Sequence, residues 1–184
     1  MRKLLYFVAT LLMGASGTAA AEPSADEVAA FHALVETGKA SEVQAALRQY
    51  PALASAKGQF GFEAIHLLDY IDFEEKLLLL LQYGADIAAK NDDGHTLLHI
   101  LIDPEFLPVV LREGGQLEIR DGEGRTPLML ALAEADNHDM IEALLTAGAD
   151  PDTRNDQGQS ALAYAKAYGD QATVDLLTQA GASR

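Results

Sequence analysis

The stretch Asn91 to Ile100 reads NDDGHTLLHI, and near-copies of it return from Asp121 as DGEGRTPLML and from Asn155 as NDQGQSALAY. No Cys, Ser or His is held fixed across the copies, so what recurs is a turn followed by a helix and not a reactive side chain. Gly61, Gly94, Gly124 and Gly158 each open such a turn, at spacings of 33, 30 and 34 residues. A second landmark, Gly84, Gly114, Gly148 and Gly181, follows each of these after 20 to 24 residues. Two independent landmarks on one beat point to a chain built of stacked supersecondary units.

The recurring residues have physical reasons. Glycine at the head of each unit permits backbone angles that a side chain obstructs, and the second glycine falls where a left-handed helix end is expected. Thr96, Thr126 and Ser160 carry a hydroxyl at a helix start, where it can satisfy an orphan amide, and Pro127 is tolerated in the first turn because its missing N–H is unused there. Leu77 to Leu81, and Ile141, Leu144 and Leu145, supply apolar faces that one helix pair cannot bury by itself, so neighbouring units must cover them.

Gly124-Arg125-Thr126-Pro127-Leu128 and Gly94-His95-Thr96-Leu97-Leu98-His99 resemble the G-x-T-P-L-H signature of the ankyrin-repeat family. The resemblance covers residues 58–184, and residues 25–57 fit as a degenerate first repeat with Phe31, Leu34 and Val35 on one helix and Val43, Ala46 and Leu47 on the next. It implies an all-α solenoid of about five helix-turn-helix repeats, a right-handed stack with short turn tips, with boundaries near 25–57, 58–90, 91–120, 121–154 and 155–184. The third repeat departs from the pattern: it is about three residues short, and Pro104 and Pro108 stand where its helices join, so those helices are expected to be shortened or displaced. A proline at position 108 inside a helix would cost about 3 kcal/mol unless it too lies in the first turn. The second repeat has Glu63-Ala64 in place of Thr-Pro, which weakens the capping argument there.

Residues 1–21 read as a secretory leader rather than as fold. Arg2 and Lys3 precede a ten-residue apolar run, Leu4 to Met13, and small residues ending in Ala19-Ala20-Ala21 make an A-x-A cleavage pattern. The run is shorter than the roughly 20 residues a membrane-spanning helix needs. The expectation is therefore an exported, soluble protein whose repeat domain occupies residues 22–184, and the ankyrin resemblance implies the periplasm as its compartment. Without the leader, 11 basic residues stand against 28 acidic ones, a formal charge of −17. Such a surface repels phosphate backbones, so nucleic acid is not the expected partner; a protein with a basic groove is, because the field steers it in. The absence of cysteine leaves stability to packing and excludes thiolate metal sites and a Cys nucleophile.

Chemistry finds little purchase. His95 and His99 have the i, i+4 spacing of a metal pair, yet His66 and His99 occupy one repeat position, where the ankyrin resemblance implies hydrogen bonding between neighbouring turns. The run Asp150 to Gly158 evokes a calcium loop but puts Arg154 where an oxygen ligand belongs and Ala161 where a bidentate Glu belongs; Asp and Asn bonding their own backbone in turns accounts for it. The serines show no nucleophile context and there is no glycine-rich phosphate loop. The reading is a non-enzyme with no cofactor.

By the same resemblance, turn tips and the exposed side of each first helix line a binding surface. The positions are Gln59, Phe60, Phe62, Tyr70 and Ile71; Asp92, Asp93, His95 and Asp103; Glu123, Arg125 and Glu134; and Asp156, Gln157, Gln159 and Tyr168. Phe60, Phe62, Tyr70 and Tyr168 are expected to be exposed aromatics bordered by acids, a mixture that suits a protein interface. Resemblance to exported ankyrin proteins of the immunity type implies a periplasmic inhibitor that masks an envelope-targeting toxin, such as a peptidoglycan amidase or lipase. The alternative it implies is an accessory protein supporting a periplasmic stress-defence enzyme such as a catalase.

Overall fold

The structure is a computed structural model, and it describes residues 22–133, 137–168 and 171–182. The leader-like residues 1–21 lie outside the described residues. Every regular element among the described residues is helical, the one extended pairing being an isolated bridge between Arg154 and Ser160. The chain divides into two compact units, one ending at Asn91 and the other beginning at Asp92.

In the first unit, helix α1 (Ala25–Thr37) starts at Ser24, whose hydroxyl accepts from the Glu27 amide at 3.3 Å while the Glu27 carboxylate accepts from the Ser24 amide at 2.8 Å. This reciprocal capping satisfies two of the donors that a helix start leaves unpaired. Helix α2 (Ala40–Gln49) packs on α1 and on α3 (Phe73–Gln82), while a short 3-10 turn, Ala64–Leu67, packs on α1. First helices thus pile on first helices and second on second, in sequence order. Phe31, Val35, Val43, Ala46 and Leu47 are buried as the periodicity requires, with Leu34 only half-buried.

Lys76 is the least expected core residue. It is wholly buried on α3, and its ammonium donates to the Val35 carbonyl at 2.6 Å and lies 3.4 Å from Asp69 Oδ1. Val35 belongs to the last turn of α1, whose carbonyls lack partners within the helix and carry the negative end of its dipole, so the cation closes that end. Asp72, at φ 51°, does the converse for α2: its Oδ2 accepts from the Ala40 amide at 3.1 Å. The leucine run is corrected at one position, since Leu78 is 40% exposed while Leu77, Leu79 and Leu80 are buried.

The second unit repeats the plan with shorter pieces. Helix α4 (Leu97–Ile100) has only four residues, and after it the chain runs to a 3-10 turn, Pro104–Phe106, and then α5 (Leu107–Arg112). Shortening in this repeat is as the prolines predict, and both sit in a first turn where their missing N–H is harmless. The 3-10 turn Ala64–Leu67 shows that the second repeat is shortened as well, which the sequence does not announce. Helix α6 (Pro127–Ala131) packs on α4, on α7 (His138–Thr146) and on α8 (Ala161–Tyr168); α9 (Gln171–Gln179) covers α7 and α8. Thr126 and Ser160 cap as expected, accepting from the Met129 and Ala163 amides at 3.4 and 3.3 Å. The Thr96 hydroxyl is turned instead to the His99 ring, at 3.0 Å.

Both glycine landmarks adopt positive φ, 70° to 80° at the unit heads and 98° to 104° at the helix ends. They differ in surroundings. A Cβ at Gly148 would meet open space, whereas one at Gly124 would collide with the backbone and carboxylate of Asp156. We therefore expect Gly148→Ala to cost about 1 kcal/mol, the left-handed penalty alone, and Gly124→Ala to cost at least about twice that, read as the shift in urea midpoint.

His32 on α1 supplies a second test. Its Nε2 is buried with no hydrogen-bond partner among the described residues. Burial holds its pKa below the ordinary 6.5, opposed by a hydrogen bond with the Ala56 backbone and reinforced by nearby His66. A depressed folded pKa means the unfolded chain binds the proton first, so its contribution is complete above pH 6.5 and is lost as pH falls through the folded value. The stability of the wild type relative to His32→Leu should accordingly fall between pH 7.5 and 5; a pH-independent difference would contradict a neutral buried ring.

Candidate protein-binding surfaces

Three of the turn tips are built around an Asn or Asp that opens them, Gly58 standing at that place in the tip that carries Phe60. Asn91, Asp121 and Asn155 are all buried. Asp121 Oδ1 accepts from the amides of Glu123 and Arg125 at 2.9 and 2.8 Å, and Asn155 Oδ1 does the same for Gln157 and Gln159 at 3.1 and 2.9 Å. Within the run that evokes a calcium loop, Asn155 is thus engaged in turn chemistry, and Asp150 Oδ1 likewise accepts from the Asp152 amide at 2.9 Å. Successive tips are joined backbone to backbone, Gly122 N–H to the Asp93 carbonyl at 2.9 Å and Asp156 N–H to the Glu123 carbonyl at 3.2 Å.

Behind the tips the two equivalent histidines do one job. His66 Nδ1 accepts from the Glu63 amide at 3.0 Å and its Nε2 meets the Ala89 carbonyl at 3.0 Å. His99 Nδ1 accepts from the Thr96 amide at 3.2 Å and its Nε2 meets the Arg125 carbonyl at 3.2 Å. An acceptor at Nδ1 and a donor at Nε2 define one neutral tautomer for both, and each ring ties its own helix start to the next repeat's backbone. With both nitrogens committed, His99 is a structural link between turns. His95 stacks on it, ring centroids 5.7 Å apart.

The tip positions of the second unit gather charge. Asp92, Asp93, Glu123, Asp156 and Gln157 are exposed, while His95, Arg125 and Gln159 are half-buried. Arg125 reaches Asp121 Oδ2 at 2.7 Å and Glu123 Oε2 at 3.2 Å, and His95 Nε2 lies 3.4 Å from the same Asp121 oxygen. Burial alone would raise the Asp121 pKa, but hydrogen bonds from the Arg125 side chain and from the Arg125 and Glu123 amides outweigh it and hold the carboxyl below its ordinary 3.8. Arg125 is pushed the other way; burial opposes its charge and the bond to Asp121 more than restores it. Asp103 is exposed and caps the following turn, accepting from the Glu105 amide at 2.9 Å. Glu134 lies outside the described residues, and so does the side chain of Tyr168, which ends α8.

In the first unit Gln59 is exposed, Phe60 is 66% exposed and Tyr70 is 75% exposed. Phe60 also takes φ 55°, a left-handed angle that costs an L-residue roughly 1–2 kcal/mol. Phe62 departs from the expectation of an exposed aromatic: it is half-buried, edge-on to His66 at 5.6 Å. Ile71 is half-buried, its amide bonded to Asp69 Oδ1 at 2.9 Å.

Sequence reasoning missed a row of cations just before the tips. Lys57 Nζ donates to the Lys90 carbonyl at 3.4 Å, and Arg120 donates to the Arg154 carbonyl at 2.7 Å and the Gly124 carbonyl at 3.2 Å. The signal was available, because Lys57, Lys90, Arg120 and Arg154 recur on the same beat as the glycines.

The family model described as Ankyrin repeats (3 copies) matches residues 71–153 and again 102–183. The chain belongs to the ankyrin-repeat family. It is similar to an intracellular phospholipase A2 of Caenorhabditis elegans, 29% identical over 188 residues that cover 96% of this chain and 17% of that protein. NF-kappa-B inhibitor delta of Mus musculus is 33% identical over 101 residues, 52% of this chain and 31% of that protein. Neurogenic locus notch homolog protein 1 of Homo sapiens is 27% identical over 161 residues, 82% of this chain and 6% of that protein. This ankyrin-repeat chain thus spans less than a third of each of these relatives. Ankyrin repeats are protein-binding modules. No helix among the described residues is long and apolar enough to cross a membrane.

Because Asn91 and Asn155 stand where Asp121 does, Asp121→Asn should keep the turn and lose only the ion pair. A lowered folded pKa gives a contribution that is present above pH 3.8 and lost as pH falls through the folded value. In urea titrations the stability gap between wild type and Asp121→Asn should be constant from pH 7 to 5 and shrink below pH 4; a gap that widens in acid would contradict the assignment.

Proposed function

We propose that this ankyrin-repeat chain is an inhibitory binding module of the periplasm, an immunity-type protein that covers the active-site cleft of an envelope-targeting toxin such as a peptidoglycan amidase or lipase. Phe60 carries the reading. It is a large aromatic at a turn tip, exposed, and held at a backbone angle that glycine would occupy without strain. Neither packing nor turn geometry calls for phenylalanine there, whereas an interface anchor does. Tyr70, the more exposed of the two, adds a second anchor.

Three further points support it. The acidic excess of −17 without the leader-like segment suits a partner with a basic cleft. Residues 1–21 have the pattern of an export signal. A relative that shares these repeats carries the name inhibitor, which is in keeping with an inhibitory role. In this reading the binding positions are Gln59, Phe60, Phe62, Tyr70 and Ile71 in the first unit and the acidic tips in the second.

Affinity capture from periplasmic extract tests it. The wild-type chain should retain a hydrolase at sub-micromolar affinity and suppress its activity, and Phe60→Ala with Tyr70→Ala should weaken that binding about a hundredfold, the loss of two anchors. Phe60→Gly should weaken binding too while raising stability by about 1 kcal/mol, since it relieves the left-handed angle. Retention of a catalase that gains activity or stability, or a hydrolase held equally by all variants, would overturn the reading.

A further inference from the structure

The tip that carries Phe60 is held differently from its counterparts. Gly58 N–H donates to the Phe62 carbonyl at 2.7 Å, just as Asp121 N–H donates to the Arg125 carbonyl at 2.9 Å and Asn155 N–H to the Gln159 carbonyl at 3.0 Å. In those two tips the side chain of the opening residue also fixes a pair of turn amides, which glycine cannot do. A ring from α1 takes over that task. Gly58 lies so close to the His32 imidazole that a Cβ there would stand 2.7 Å from Cε1 and 2.8 Å from Nδ1. The ring also hydrogen-bonds the Ala56 backbone, and since Nε2 has no partner among the described residues, Nδ1 makes that bond.

His66 and His99 sit in the first turn of their elements, where Nδ1 finds a free amide and Nε2 the next repeat's backbone. His32 lies inside a full helix, whose amides at that depth are already bonded. A proton on its Nε2 would be a buried donor with no acceptor, on a charged ring that solvent does not reach.

Nothing around the ring answers that charge. The turn Ala64–Leu67 brings His66, which opposes a second positive charge, and the covering segment brings Lys57, itself a cation. Helix α2 buries Ala40, Val43, Ala46 and Leu47, none of them titratable, and Glu36, one turn further along α1, is exposed. Glu63, buried just ahead of the turn, is no counter-charge in acid: burial raises its pKa above 4.5 against Lys57, and Asp86 adds to the rise, so it is neutralised as the pH falls.

We propose that His32 is an acid release for the Phe60 tip: its ring takes up a proton when residues 56–62 lift and let water in, and Phe60 is carried away with them. Opening also relieves the left-handed angle of Phe60, which works in the same direction. The consequence for a partner rests on the reading of Phe60 as an anchor, presented at neutral pH and withdrawn in mild acid.

In the open tip the ring meets water and takes the ordinary 6.5, whereas in the closed tip burial holds it lower. The closed tip is therefore fully favoured above pH 6.5 and loses ground as the pH falls towards the lower value. Between pH 8 and pH 5 the open fraction should rise by up to about thirtyfold, the ratio that an unperturbed histidine sets.

Amide hydrogen exchange on the full chain, read by NMR, tests this without a partner. The Gly58 amide exchanges when its bond to Phe62 opens, so its rate, divided by the intrinsic rate at each pH, should rise from pH 8 to pH 5 by up to that factor. In His32→Leu and in His32→Gln, neither of which titrates, the corrected rate should stay flat. Nitrogen-15 spectra at pH 8 should show His32 protonated at Nδ1 and bare at Nε2, the reverse of His66 and His99. A flat Gly58 rate in the wild type, a rise that persists in both variants, or a His32 tautomer matching that of His66 would overturn the proposal. A flat rate alongside capture that depends on Phe60 would defeat this inference alone, and an acid-opened tip alongside capture indifferent to Phe60 would defeat only the inhibitor reading.

Discussion

A helix of four or five residues does not hold together in water, because nucleation fixes several backbone angles for one hydrogen bond. Leu97–Ile100 and Pro127–Ala131 are helices of that size, and Ala64–Leu67 is only a 3-10 turn, so each exists because a neighbour holds it. The dependence is mutual and runs along the chain: α4 lies on α6 and α6 on α8, while α7 lies between the turn Pro104–Phe106 and α9. Apolar faces supply most of the energy, since Leu128, Met129 and Leu144 are almost fully buried between layers.

Burial is not directional, and something else must set the register. Directed polar contacts do it: the tip-to-tip amides, the His66 and His99 rings spanning to the next backbone, and the Arg120 guanidinium on the Arg154 carbonyl. Each satisfies a backbone group that a short helix or turn leaves unpaired, and a buried group of that kind is costly when unpaired. Lys76 shows the same economy at the end of α1. A long side chain from a later helix brings a cation to the Val35 carbonyl in the last turn of α1.

How far this was legible in the sequence follows from which constraints are residue-specific. Positive φ admits few residues other than glycine, so the two glycine rows and the turns between them could be read directly. The histidines were legible because the same residue recurred at the same place, and Pro104 and Pro108 announced the shortened third repeat. Lys76 was not legible, since its partner carbonyl lies 41 positions upstream and nothing local marks it. Leu78 was hidden in a leucine run that gives no sign of which member faces out. Among the candidate positions, Phe60 and Tyr70 stand exposed as the tip pattern implies, whereas Phe62 is drawn inward by the ring of His66, a contact that depends on where the second repeat's short turn places that ring.

Function is expected where the stack makes no demand, and the two strongest candidates meet that condition in opposite ways. At Phe60 a side chain is present that the local backbone disfavours, so selection for folding alone would replace it with glycine or asparagine. At Ile102 helix is absent where the repeat pattern calls for it, leaving an apolar side chain uncovered that selection for folding alone would make polar. One position spends backbone strain and the other apolar exposure, and neither recovers that cost within the folded chain. On the function proposed above, a binding partner supplies the missing term. Burying such a side chain requires no change in the repeat that holds it, so recognition at an exposed position does not disturb the packing behind it.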